Sequence, residues 1–387
     1  MSTFSDFADA MAQPQRLAPQ GNPRVSRVAV LGGGPDARML AAIALSEGVE
    51  VALFSAYGAE LDAMASGISL RGAGPVGSYQ VNAEHAPSVQ AGSGLDAAVA
   101  GAEVIFLTGP VHKQRTYAMV LADHLRDGQT LVAAPARTFA ALETRWLLGI
   151  GGCSAEISIV EAPLPYWLDA TGNTLNLSEA SGHRAMLPGN QPDLCAGLSA
   201  LLSTSTPVLD TMRSSFADGS GLVEVPTLVL GGQAMHPGGP RIPMGGTPLP
   251  ENRTFRNLIG PQHQSVIEDL AHERRETACR YGVRDLPDTE TWLDIHAGSA
   301  SGQGSRPVPD IDVSHAILRD AVIGSLVPLT SAARLAGVAT PATDAMIALA
   351  SSILKADLAT AGRKMPAMGI DGTDIDSARR ALEQAVR

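Results

Sequence analysis

Between residues 25 and 161 short apolar runs alternate with longer stretches of helical periodicity. Apolar runs bounded by Gly or polar positions read as buried strands, and a 3.6-residue repeat reads as amphipathic helix. Strands are expected at 25–31, 49–54, 103–108, 129–134 and 155–161, and helices at 35–47, 59–66, 115–125 and 138–149. The Gly-rich stretch 67–86 alternates and reads as a hairpin, and 173–179 and 183–189 read as shorter pieces closing the sheet. Strands alternating with helices imply a parallel sheet covered on both faces. After residue 190 helical periodicity takes over, at 194–204, 262–282, 313–337, 341–359 and 373–386, with Thr340-Pro341 reading as a cap and a first-turn proline. The Gly/Pro-dominated stretch 231–251 interrupts this region, and a second irregular segment spans 298–310. Irregular segments of this length inside a helical domain are often functional.

The expected fold class is therefore α/β: an N-terminal parallel-sheet domain followed by an all-helical C-terminal domain. Residues 1–24 read as a flexible arm, 25–190 as the sheet domain and 191–387 as the helical domain. A length of 387 residues suits two domains. A hydrophobic fraction of 45% supplies a full core, and a net charge of -11 argues against nucleic acid or an anionic membrane as partner. No wholly apolar run reaches the roughly 18 residues needed to cross a bilayer, and the first 24 residues lack a basic-then-apolar leader. A cytoplasmic location is expected. Cys153, Cys195 and Cys279 are odd in number and far apart, which suits neither a disulfide framework nor a zinc site. Lys113, Lys355 and Lys364 are the only lysines.

The first chemical signal is the turn after the first strand, Gly32-x-Gly34-x-x-Ala37. Gly32 permits the tight turn, Gly34 a close approach of backbone to a pyrophosphate, and Ala37 close helix–strand packing. The helix N-terminus that follows faces the phosphates. This is a Rossmann-type dinucleotide site, with Gly33 and Pro35 completing the turn. The end of the second strand separates NAD from NADP, because an acid there would bind the ribose 2′-hydroxyl. Ser55 stands at that position and Arg38 lies just inside the first helix. A hydroxyl with an arginine suits a 2′-phosphate, so NADP(H) is expected over NAD(H).

His236, in the segment AMHPGGPR, is one of nine histidines, and a single histidine in a loop is weak evidence. Its company matters more. The turn AVLGGGPDARMLAA, Pro110 after the third strand, DGQTLVAAPARTFAALE with Pro135, AMHPGGPR, HERRETACRYGV and the long C-terminal segment beginning SLVPLTSAARLAGVATPATDAM resemble the opine dehydrogenase family. These are NAD(P)-dependent enzymes of the octopine, nopaline and carboxyethyl-norvaline type, and the resemblance covers about residues 26–375. It implies reductive condensation of an α-keto acid with the amino group of an amino acid, through an imine in the interdomain cleft. It also implies that His236 is the general acid/base and that Asp320, just before Val-Pro-Leu, orients it. A carboxylate beside an imidazole fixes its tautomer and raises its pKa. Arg319 and Arg241 are the nearest candidates for the substrate carboxylates.

The chain departs from the family pattern at His315, where an arginine is usual, and at Pro243, where an asparagine is usual. The segment before Asp320 is short, which leaves Asp310 or Asp312 as alternative partners. A homodimer is the expected assembly, and metal is not expected. Two other readings remain. One is a hydroxy-acid or ketopantoate-type reductase, whose chemistry uses a lysine from the helical domain. The other is a nucleotide-binding sensor without catalysis. Within the family, the GGGP turn also resembles a metallophore-forming branch.

Overall fold

The computed structural model describes residues 25–60, 68–72, 79–81, 94–171, 174–180, 182–186, 197–202, 205–208, 211–231, 254–299, 306–370, 372 and 374–386. The strands are β1 Arg27–Leu31, β2 Glu50–Phe54, β3 Ile68–Gly72, β4 Tyr79–Val81, β5 Val104–Leu107, β6 Thr130–Ala133, β7 Ser158–Glu161, β8 Tyr166–Thr171, β9 Thr174–Glu179, β10 Gly182–Met186 and β11 Ser205–Val208. Seven form the main sheet in the order β11-β10-β7-β6-β5-β1-β2, parallel except where β10 meets β7. The others form a second sheet, β4-β3-β9-β8.

Strand alternation builds two cores. Val28 and Val30 point into one, with Ala37 and Leu40 of helix α1 (Pro35–Ser46). Ala29 and Leu31 point into the other. Helix α2 (Leu95–Val99), α3 (Val111–Leu121) and α4 (Ala140–Ile150) supply its Val99, Tyr117 and Leu142. Successive side chains on a strand leave opposite faces, so one five-residue run feeds both layers.

The helical domain contains α5 Thr211–Ala217, α6 Ser220–Gly231, α7 Pro261–Arg280, α8 Thr289–Ala297, α9 Ile311–Ala321, α10 Val327–Ala336, α11 Pro341–Leu354, α12 Leu358–Ala361 and α13 Ile375–Val386. Its own core holds Leu222, Trp292, Leu318 and Ile347. Phe216 and Tyr281 cross into the sheet domain's core, where Phe216 meets Phe139 edge-on at 5.4 Å between ring centroids.

Several sequence expectations change. Thr174–Glu179, the described part of the expected piece at 173–179, lies in the second sheet as β9 and does not close the first. The main sheet runs past residue 190 through β11, and the expected helix 194–204 is reduced to one short turn in its described part. Helix 313–337 is interrupted by a widened π turn at Val322–Leu326, where Gly324 lets the backbone approach Arg137. A Cβ at Gly324 would lie 2.9 Å from Arg137 Cβ. Thr340 makes no capping bond to α11. Glu273 of α7 accepts the Ala342 and Thr343 amides instead, at 2.8 and 2.9 Å. An anion at a helix N-terminus satisfies orphan amides whichever element supplies it. The stretch Ile311–Ala336 is long and apolar enough to cross a membrane, yet 78% of its apolar window is buried in the protein. The arm 1–24 and the loop 232–253 lie outside the described residues.

Candidate active site

A cleft of about 740 Å³ separates the two domains. Gly32, Gly33, Gly34 and Pro35 line one end. Gly32 donates its amide to Phe54 O at 2.8 Å, which ties the turn to the end of β2. At φ +133° it tolerates no side chain, and a Cβ there would lie 2.1 Å from Thr108 Oγ1. Gly34 precedes α1 in extended conformation, and Pro35 takes the first helical position, where its missing N–H costs nothing. Ala37 is fully buried behind the turn. Pro110 at the start of α3 and Pro135, after a cis Ala134-Pro135 bond, also line the cleft. A glycine cradle at the N-terminus of a helix, at the carboxyl edge of a parallel sheet, fits a dinucleotide pyrophosphate.

Asp36 and Glu60 at this end were not singled out from the sequence, and Lys113 was named there only as one of three lysines. Asp36 accepts the Ala37 amide at 2.9 Å and the Gly109 amide at 2.5 Å, and burial raises its pKa. Glu60 accepts the Ser55 hydroxyl at 2.5 Å and pairs with Lys113. Burial pushes the Glu60 carboxyl up, but Lys113, Ser55 and the Gly33 amide together outweigh it and hold the group below its usual range. Arg38 is a correction. It is 7% exposed and does not line the cleft, because its place on α1 directs it into protein.

Further along, the cleft wall carries an alternating set of charges: Arg137, Asp218, Glu224, His296, Arg306 and Asp320. Arg137 pairs with Glu224 at 2.8 Å and with Asp320 at 3.2 Å. Burial works against its charge, but Glu224 and Asp320 overcome that and raise its pKa. Arg306 binds the other Glu224 oxygen at 2.8 Å, donates to the His296 carbonyl at 2.6 Å, and lies 4.2 Å from the Phe255 ring centroid and 4.7 Å from that of Trp167. Asp218 accepts from the Thr138 amide at 2.9 Å and hydroxyl at 2.8 Å. Burial raises Asp218, yet Arg274 and Arg137 prevail and keep it ionised. His296 Nε2 accepts the Gly219 amide at 3.1 Å, so the proton of the neutral ring is on Nδ1. Burial lowers its pKa to about 4, against the pull of Asp218 and Glu224. Glu161, at the end of β7, accepts from Ser215 at 2.7 Å and is pushed up to about 7 by burial.

Of the residues read as catalytic or substrate-binding, Asp320 is on this wall, 7% exposed. Arg319 is exposed and outside the lining, since the next position on a helix turns about 100° away. Asp310 lines the cleft and caps α9 through the Val313 amide at 2.8 Å, while Asp312 and His315 do not line it. His236 and Arg241 lie outside the described residues. Glu224 left a readable trace, as the single charged residue in the helix SGLVEVPTLVLG. A buried acid must be paired, which marks such a position.

No family model matches the chain. An opine dehydrogenase from Arthrobacter sp. (strain 1C) is 24% identical over 307 residues, covering 75% of this chain and 82% of that protein. The protein ocs of Agrobacterium tumefaciens (strain Ach5) is 24% identical over 303 residues, covering 74% and 80%. Among solved structures, octopine dehydrogenase in complex with NADH and agmatine superposes with a TM-score of 0.67 at 17% identity, over 91% of this chain and 97% of that one. Yersinopine dehydrogenase with NADP+ bound gives 0.55 at 14%, over 94% and 99%. A PanE/ApbA family ketopantoate reductase from Ralstonia eutropha JMP134 gives 0.59 at 17%, over 85% and 98%. The sequence relationship to two curated relatives, carried on a shared two-domain fold, makes this chain similar to the opine dehydrogenases and supports an NAD(P)-dependent oxidoreductase.

Proposed function

We propose that the chain catalyses the reductive condensation of an α-keto acid with an amino acid. The carrying observation is that one cleft joins the glycine turn to a wall bearing both signs of charge. The carbonyl carbon and the amine nitrogen form an imine with loss of water. A hydride and a proton then convert the imine to a secondary amine. The nicotinamide cofactor supplies the hydride when bound. The chain's part is to hold two carboxylates and an amino group in register and to move the protons. Arg137 and Arg306 suit the carboxylates, Glu224 and Asp320 suit an ammonium group, and His236 is the proton carrier that the family resemblance implies. Solved octopine dehydrogenase structures hold NADH with pyruvate and NADH with L-arginine, which supports substrates of this class.

Both features behind an NADPH preference fall away: Arg38 is buried outside the cleft, and Ser55, 3% exposed, does not line it and donates its hydroxyl to Glu60. The rival hydroxy-acid or ketopantoate-type reading needs a lysine at the reacting carbonyl. Lys113 lines the cleft, but at the glycine-turn end and committed to Glu60. A panel of keto acids crossed with amino acids, followed by nicotinamide absorbance, tests the proposal. Turnover should require both partners. Oxidation of simple hydroxy acids at comparable rates, with no dependence on an amine, would overturn it.

A further inference from the structure

We propose that Glu60 supplies the carboxylate missing from the end of β2 and selects a free ribose 2′,3′-diol, with Lys113 offsetting only part of its effect, so that the protein prefers NADH to NADPH. The inference rests on the dinucleotide reading of the glycine turn.

The argument starts from position. In this fold the ribose that carries the 2′-substituent lies beside the end of the second strand and the glycine turn. Leu31 and Phe54 are in register at the ends of β1 and β2, so Ser55 is the next residue out. The chain then folds back. Glu60 N donates to Tyr57 O at 3.0 Å, and this turn sits directly on Gly33. A Cβ at Gly33 would lie 2.5 Å from Glu60 Cβ and 3.3 Å from Glu60 Cα. The carboxylate therefore stands where the strand end lacks one, five residues later in the chain.

The polar groups around it are already committed in one sense. Ser55 donates its hydroxyl proton to Glu60 Oε2 at 2.5 Å and accepts the Tyr57 amide at 3.1 Å. Its proton is not free for a phosphate oxygen. Lys113, from the first turn of α3, pairs with Glu60, and its ammonium lies 4.3 Å above the Tyr57 ring. Arg38, the other cation near the turn in sequence, is buried outside the cleft. An ionised carboxylate only accepts hydrogen bonds, and a diol offers two protons. A 2′-phosphate offers none and brings about two negative charges against Glu60. Lys113 offsets one of these charges.

The test is binding of NADH and of NADPH, each titrated into wild type, Glu60→Gln and Lys113→Met by calorimetry. Wild type should bind NADH about tenfold or more tighter, since opposing like charges at a contact is costly. Glu60→Gln keeps an acceptor for Ser55, removes the charge and frees Lys113 for a phosphate, so the preference should collapse or invert. Lys113→Met should widen it. Melting temperatures of the two variants check that both remain folded. Tighter NADPH binding by wild type, or an unchanged affinity ratio in Glu60→Gln, overturns the inference while leaving the dinucleotide site intact. Failure of wild type to bind either dinucleotide overturns the site and the inference together.

Discussion

Asp320 Oδ1 accepts the amide proton of Val111 at 2.6 Å, across 209 positions of the chain. That amide belongs to the first turn of α3 and has no partner within its helix. A carboxylate of the helical domain thus caps a helix of the sheet domain, and its second oxygen takes Arg137 Nε at 3.2 Å. The cleft is held together by the groups that line it.

This double use sets the cost of losing the charge. Asp320→Asn can accept from Val111 or from Arg137 with its one carbonyl oxygen, and its amide faces the other donor. Loss of one charge-assisted hydrogen bond should cost about 2 kcal/mol, with Asp320→Ala costing more. Denaturant unfolding of the two variants beside wild type checks the order.

His236 carries the largest expected catalytic effect. His236→Ala should reduce turnover by about 100- to 10,000-fold, the usual worth of general acid/base help, with dinucleotide affinity nearly unchanged. If Asp320 orients this imidazole, Asp320→Asn lowers its pKa and moves the acidic limb of the pH–rate profile downward. Steady-state rates across pH, with a separate binding titration, read both effects. Near-normal turnover in a folded His236→Ala protein would move the search to His296, which lines the cleft.

His296 makes stability fall toward acid. Its pKa in the fold is about 4 against 6.5 for the free side chain, so the unfolded chain binds the extra proton between these values. Its contribution is present above 6.5 and is lost as pH falls toward 4. His296→Gln can still accept from the Gly219 amide and cannot titrate. The loss of unfolding midpoint between about pH 7.5 and 5 should be smaller in the variant than in wild type.

Glu161 has the opposite sign. Its pKa rises from 4.5 to about 7 on burial, so the protonated form is favoured in the fold. That stability is present below 4.5 and is lost as pH rises through 7. Glu161→Gln keeps one acceptor oxygen for the Ala141 amide, while Ser215 can turn its hydroxyl to accept from the new amide, and the buried charge is gone. The variant should gain on wild type at about pH 8.5 relative to pH 5.5, read by thermal melting at the two values.

Arg363 joins the C-terminal segment to α4. Its Nε meets Glu143 Oε2 at 2.7 Å with side-chain exposures of 2% and 8%, while Arg115 takes the other Glu143 oxygen at 2.8 Å. Arg363→Met should cost about 3 kcal/mol because it leaves a buried carboxylate with one partner fewer. Thermal unfolding measures this, and a much smaller loss would show that Arg115 alone neutralises Glu143.

What depends on neighbours along the chain was legible in the residues alone. β1, β2, β5 and β6 follow from apolar runs, and the glycine turn follows from steric demands at Gly32 that no other residue meets. The long helices follow the 3.6-residue repeat. The interruption at Val322–Leu326 has no such local cause. It arises where Gly324 packs on Arg137, nearly two hundred positions earlier, as the Asp320–Arg137 separation of 183 shows. The charged wall exists only once the chain has folded. Arg137, Asp218, Glu224, His296, Arg306 and Asp320 are spread over the chain from 137 to 320 and meet because each buried charge must find a partner, wherever the chain brings one. The same physics separates Ser55, legible at the end of its strand, from Glu60, which reaches that place only when the chain folds back over Gly33.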